Sequence, residues 1–280
     1  MTRKARNAGR IRLAVQIGFF SLIAAIAVNH TLAATGAEIP LIGTASVHAI
    51  CPFGGVVSVY QLATIGTFVQ KIHSAAFVLM AIMFLLTLAF GPVFCGWICP
   101  FGSVQEWLSS IGRKLWKKRF NAFIPYRFDR YLRYLRYAVL GWVVYVTAVT
   151  GKLIFEAYDP YYALFNFWTG EVAVAGLIAL GVVAVASLFV ERPFCKYACP
   201  YGALLGISNL FRIFAIKRNS ATCINCSACD RNCPMNIPVS TAGTVRNHQC
   251  ISCMKCSSEQ ACPVQKTVEL RTGAFKEVSL

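Results

Sequence analysis

Twelve of the thirteen cysteines fall into two kinds of motif, and both are arrangements that hold metal or move electrons. Near the C-terminus the order is Cys223-x-x-Cys226-x-x-Cys229-x-x-x-Cys233-Pro234, then Cys250-x-x-Cys253-x-x-Cys256, then Cys262-Pro263 after five intervening residues. Three thiolates on one tight loop can reach three irons of a cubane, and the fourth ligand comes from a remote Cys-Pro. In two-cluster modules of this pattern that fourth cysteine serves the other cluster. The spacing therefore predicts two [4Fe–4S] clusters with crossed ligands. One is expected on Cys223, Cys226, Cys229 and Cys262, the other on Cys250, Cys253, Cys256 and Cys233. A zinc ribbon would use four cysteines in two pairs, and a disulfide scaffold would need an oxidising compartment. The five-residue gap before Cys262, where the first motif has three, leaves the cluster served by Cys262 less defined than the presence of two clusters.

The second kind of motif is a repeat. Pro92-Val93-Phe94-Cys95-Gly96-Trp97-Ile98-Cys99-Pro100-Phe101-Gly102 recurs as Pro193-Phe194-Cys195-Lys196-Tyr197-Ala198-Cys199-Pro200-Tyr201-Gly202, one hundred residues on. Pro100 and Pro200 suit the first turn of a helix, where a missing N–H costs nothing. The stretches 105–118 and 203–218 that follow are apolar-rich, end in basic residues and read as helices on a membrane surface. A pseudo-two-fold pairing of the repeats would bring Cys95, Cys99, Cys195 and Cys199 into one shared redox or metal site, since a four-residue offset puts both thiols of a pair on one helical face. The bland alternative is that Cys-Pro only shapes the turn. A third phrase, Cys51-Pro52-Phe53-Gly54-Gly55, lies in a weakly charged segment, 38–71, that reads as an outer, re-entrant connection.

The elements that must position these cysteines are apolar. Of the 280 residues, 57% are hydrophobic and only 14% charged, against about 25% charged in soluble domains. Charge-free runs predict four transmembrane helices in two tandem repeats, at about 13–34, 69–91, 134–155 and 171–190. The third is short and needs Arg133, Arg136 and Lys152 to snorkel. Of the 27 Lys and Arg residues, 25 fall in 1–12, 91–136 and 191–280. Basic residues favour the cytoplasmic side, so both termini and the 91–136 connection are expected there, in an inner or plasma membrane. The net charge of +16 then reflects topology and anionic lipid rather than nucleic acid. The first run also resembles a signal peptide but exceeds the usual h-region. The expected fold is an α-helical polytopic membrane domain, 1–216, followed by a small cytoplasmic α+β ferredoxin-like two-cluster module, 217–280. His248 reads as a solvated loop residue, and no phosphate loop, dinucleotide fingerprint or Ser/His/Asp arrangement is present.

Four spans, two Cys-x-x-x-Cys-Pro motifs and a two-cluster tail together resemble the NapH-type membrane ferredoxins, the membrane component of a quinol dehydrogenase. They are similar too to the membrane and ferredoxin part of NosR-type proteins. Phe94-Cys95-Gly96-Trp97-Ile98-Cys99-Pro100 and Cys199-Pro200-Tyr201-Gly202-Ala203-Leu204 carry the resemblance outside the tail, which runs from about residue 70 onward. His48-x-x-Cys51-Pro-Phe-Gly-Gly departs from the NapH pattern, and no flavin segment of the NosR kind is present. The resemblance implies an electron-transfer subunit linking the quinone pool to a partner redox protein or other membrane subunits. The alternative is a membrane copper reductase or cofactor-assembly factor, because thiolates select Cu(I).

Overall fold

The computed structural model describes residues 3–34, 74–150, 154–170 and 172–272. Cys51 and the 38–71 segment, with His48, lie outside the described residues, as do His73 and the parts of the expected spans at 69–73, 151–153 and 171.

The N-terminal part is helical. Helix α1 (Arg3–Ala34) contains Gly9–Ala33, the one described stretch long and apolar enough, by length and composition, to cross a membrane. Helix α2 (Ser74–Phe90) carries no charge and ends where Gly91 takes a φ of 83° and donates its N–H to the Thr87 carbonyl at 2.8 Å. Glycine adopts this left-handed cap without a Cβ penalty, and Pro92 prevents the helix from continuing. There follow α3 (Pro100–Trp116), α4 (Tyr126–Leu132), α5 (Leu135–Thr150), α6 (Pro160–Asn166) and α7 (Val174–Ala186). Asp159 caps α6 by accepting the Tyr161 N–H at 2.9 Å. The second repeat closes with α8 (Pro193–Tyr197) and α9 (Pro200–Ser208).

The repeats pack through each other. Tyr201 and Leu205 of α9 share a buried cluster with Val143 of α5, and Phe94 and Cys95 of the first repeat lean on it. Helix α1 packs on α3 and buries Ile23 and Ala27 against Phe165 of α6.

The stretch 203–218, expected as one surface helix, is not one. Helix α9 stops at Ser208, a 3-10 turn covers Asn209–Phe211, and β1 (Ala215–Arg218) follows. The reason is tertiary. Arg212 is fully buried and donates to the Val245 carbonyl, while Ile216 pairs with Val245 on β2 (Thr244–Val245) and with Leu270 on β3 (Val268–Arg271). The resulting antiparallel sheet, in the order β2-β1-β3, covers a core of Ile216, Met235, Ile237, Val239, Ile251 and Val268. A short helix, α10 (Ala228–Arg231), completes the tail.

Candidate metal centres

The tail holds two cavities whose cysteines sort into two sets. One cavity is lined by Cys233, Cys250, Cys253 and Cys256 together with core residues such as Met235 and Ile251. The second is lined by Cys223, Cys226, Cys229 and Cys262 with Arg218 and Val268 among its neighbours. Each triplet thus shares its cavity with the Cys-Pro that is remote in sequence. The first cavity lies deep in the tail, whereas the second is peripheral, with Cys226 exposed and Ile224 63% accessible beside it.

The backbone explains how so short a loop turns its thiols to one side. The residues on either side of each middle cysteine are left-handed: Asn225 and Ser227 around Cys226, Ser252 and Met254 around Cys253, with φ between 49° and 58°. Asparagine tolerates that region, but methionine rarely enters it, so the tertiary fold must hold Met254 there. Such turns point successive N–H groups inward, where they can face negative sulfur. The longer gap before Cys262 is taken up in a turn in which Ala261 and Cys262 both donate to the Ser258 carbonyl, at 2.9 and 2.8 Å. The donor set fits the cubane that the spacing predicts. Burial pushes the Cys229 thiol up to about 11 and that of Cys233 to about 12, and also raises Cys253 and Cys256. Such thiols become thiolates when a metal's charge replaces the proton.

The repeat cysteines converge as well. In each copy a wide turn closes the motif, with Cys99 N–H to Phe94 O at 2.8 Å and Cys199 N–H to Phe194 O at 2.9 Å. Pro100 and Pro200 open α3 and α9, so Cys99 and Cys199 stand at helix N-caps, and the Cys199 thiol accepts the Gly202 N–H at 3.2 Å. Helix N-termini favour negative charge, which suits a thiolate. Gln105 of the first repeat reaches across to the second, donating to Cys195 Sγ at 3.5 Å and accepting the Phe194 N–H at 3.1 Å. Burial raises the Cys195 thiol and drives Cys95 and Cys199 well above the ordinary thiol range. Cys95 is pushed further by Cys99 and Cys195, and Cys199 by the other three.

These thiols sit directly against the tail. A Cβ on Gly96 would collide with the Ile251 carbonyl and lie 3.2 Å from Cys253 Cα, so only glycine allows this approach. Trp97 Nε1 donates to the Ser252 carbonyl at 3.1 Å, and Cys95 and Cys195 pack on the core that contains Cys250 and Cys256. Among the described residues, no three His, Cys, Asp or Glu are grouped as for a single metal ion.

A buried charge network, not visible in the sequence, locks the three parts together. Glu106 is held bidentately by Arg12 at 2.9 and 2.7 Å, by Arg192 at 2.6 Å and by Lys255 at 3.0 Å. Lys255, between Cys253 and Cys256, also bonds Glu191 at 2.6 Å, and Glu191 pairs with Arg113. Asp129 similarly gathers Arg133, Lys196 and the Tyr197 hydroxyl. Part of the basic charge that the sequence analysis gives to lipid is therefore internal, with Arg192 at 0% exposure. A lone acidic residue at the end of a long charge-free run was the only signal for Glu106. The cations hold its carboxyl well below the usual range against the opposing effect of burial. A depressed carboxylate stabilises fully above its unfolded pKa of about 4.3 and loses that contribution only as pH falls further. Glu106→Gln leaves Arg192 buried and underpaired, so a loss of about 3–5 kcal/mol is expected at pH 7, read as a lower thermal midpoint in detergent. An unchanged midpoint would show that the network contributes no net stability.

A family described as a 4Fe-4S binding domain matches the chain twice, over residues 72–119 and 172–219, the segments that carry Cys95-Cys99 and Cys195-Cys199. The chain is 32% identical over 204 residues to the putative electron transport protein YccM of Escherichia coli, covering 71% of this chain but only 56% of that protein's length. It is 31% identical over 209 residues to an uncharacterized protein of Methanocaldococcus jannaschii, covering 75% of this chain and 82% of the relative. The ferredoxin-type protein NapH of Haemophilus influenzae is 30% identical over 175 residues, 59% of this chain and 58% of NapH. No solved structure matches significantly.

Proposed function

Because the chain belongs to the NapH/NosR-like family of ferredoxin-type proteins, we propose that it passes electrons at a membrane between the quinone pool and a partner redox protein. Iron–sulfur electron transfer is the part of this function that the family carries. The observation that supports transfer through two clusters is that each predicted ligand quartet lines a single cavity. Cys223, Cys226, Cys229 and Cys262 would hold one [4Fe–4S] cluster, and Cys250, Cys253, Cys256 and Cys233 the other. Each such cluster supplies reversible one-electron transfer, so a pair of them matches the two electrons of a quinol, whose two protons pass to water.

Cys95, Cys99, Cys195 and Cys199 would form a third redox site shared by the repeats, placed against the buried quartet by Gly96 and Trp97. The 4Fe-4S description of both repeat segments favours a multi-iron group there over a single copper ion. Anaerobic purification followed by iron and sulfide analysis tests the assignment. About eight irons are expected from the tail quartets alone, and fewer than four would overturn it.

The reading also includes four spans, a membrane domain over 1–216, a cytoplasmic module over 217–280 and both termini in the cytoplasm. Helix α7 supports it by presenting Val174, Ile178, Val182 and Val185 to the outside, and α5 by presenting Trp142, Tyr145 and Val149. Apolar stripes of this kind need a partner or lipid. Alkaline phosphatase fused after Leu280 is expected to be inactive and a green fluorescent fusion bright. An active phosphatase there would overturn the topology.

A further inference from the structure

A polar cluster that takes no part in the cysteine sites lies where the expected third span meets the tail. His248 is not a solvated loop residue. Its Nδ1 lies 3.0 Å from Arg136 Nη2 and 2.9 Å from the Tyr137 hydroxyl. A guanidinium can only donate, so Nδ1 is the acceptor and the ring's proton sits on Nε2. Arg136 also donates to the Tyr137 hydroxyl oxygen at 3.1 Å and to the His248 carbonyl at 2.6 Å. The loop on which the ring sits is tied down again by Asn209, whose Nδ2 donates to the Asn247 and Cys250 carbonyls at 2.7 and 3.2 Å. The imidazole is therefore held in one orientation and one tautomer, with its remaining N–H turned away from Arg136.

An aromatic ring lies against the imidazole, and apolar side chains are exposed at the end of the neighbouring helix. The Tyr134 ring stacks on the imidazole with centroids 5.4 Å apart and planes 24° from parallel, and Tyr134 is itself 54% exposed. Gly206 brings α9 against the same loop, since a Cβ there would meet the His248 carbonyl at 2.5 Å and Arg136 Nη2 at 2.6 Å. Just beyond it Ile207, Leu210 and Phe211 are exposed, Phe211 at 73%. A fixed donor, a flat π face and an apolar approach are what recognise a conjugated ring bearing carbonyl oxygens.

We propose that the Nε2–H of His248, beside the Tyr134 ring, binds a carbonyl oxygen of a quinone head group that reaches it from the bilayer. The inference rests on the quinone reading above and names its site. His248 is two residues from Cys250, so their Cα atoms are within about 7 Å by the reach of the chain. The head group would thus bind beside the buried quartet. Arg136 acts as the positioning residue through His248, and Tyr134 supplies the stacking surface.

The test uses the full chain in nanodiscs and measures the affinity for two probes, menadione and decylubiquinone, by calorimetry. His248→Phe keeps an aromatic ring and removes the donor, and about tenfold weaker binding is expected with unchanged iron content. Tyr134→Ala is also expected to weaken binding severalfold. It lies on the helical side, outside the cysteine loops, so it decides the matter if His248→Phe fails to fold. Tyr137→Phe leaves Arg136 on Nδ1 and should change affinity less than twofold. Unchanged affinity in both His248→Phe and Tyr134→Ala, with quinone still bound and quinol still oxidised, would overturn this site and leave the proposed function standing. Wild-type protein that neither binds the probes nor exchanges electrons with quinol would overturn both.

Discussion

Cys233→Ser is expected to abolish the cluster on Cys250, Cys253 and Cys256 while leaving the one on Cys223, Cys226, Cys229 and Cys262 intact. In sequence Cys233 follows the first triplet by four residues. In space it lines the cavity of the second, and its thiol accepts the Ile237 N–H at 3.4 Å inside that core. Cys262 makes the reciprocal crossing into the peripheral cavity. Iron should fall by about four per chain, and the surviving EPR signal should be that of the exposed site. Cys262→Ser should give the opposite loss. If Cys233→Ser removed the signal of the first triplet instead, the crossed assignment would be wrong. The buried position also predicts a difference in robustness, because Cys226 is exposed whereas Cys233, Cys250 and Cys256 are buried. Air or chelator should strip the Cys223 set first.

Cys99→Ser and Cys199→Ser are each expected to cut quinol-driven reduction of the tail by more than about a hundredfold, since loss of an outer-shell partner already costs 10- to 100-fold. The tail clusters should assemble normally in both variants. The two effects should be equal, because each repeat contributes one N-cap cysteine and one cysteine from the preceding turn. Bound iron should fall by the same amount in both. Unchanged iron and unchanged reduction rate would reduce Cys99 and Cys199 to shapers of the turn into α3 and α9. Gln105, which bonds Cys195 from the other repeat, offers a finer probe. Gln105→Leu should shift the potential of the shared site without emptying it, since hydrogen bonds to sulfur tune potential rather than supply a ligand.

Ligand spacing in these motifs is a local property, and local properties are written in the chain. The Cys-x-x-Cys-x-x-Cys loops, the hundred-residue repeat and the prolines at the first turns of α3 and α9 could all be read directly. Each depends on residues a few positions apart and on the reach of a short backbone. The crossing of Cys233 and Cys262 could be read only through the general behaviour of two-cluster modules. The end of α9 could not be read, because 203–218 is apolar and ends in basic residues whether it lies on a membrane or feeds a sheet. What decided between them was the pairing of Ile216 with Val245 and Leu270, 29 and 54 residues away.

Composition and cysteine spacing, by themselves, determined that this is an apolar, cysteine-rich chain with a doubled cysteine motif and a polar tail that gathers eight of its cysteines. Only the tertiary structure decided what its charges are for. Arg12, Arg192 and Lys255 count alike with surface basic residues in a sequence, yet they converge on Glu106 from 94, 86 and 149 positions away. His248 likewise passes for a loop residue until Arg136, 112 positions earlier, is seen to fix its tautomer. A buried ion pair or a fixed imidazole is specified by the geometry of distant segments, and desolvation makes that geometry decisive. The sequence names the groups, but only the packing brings them together.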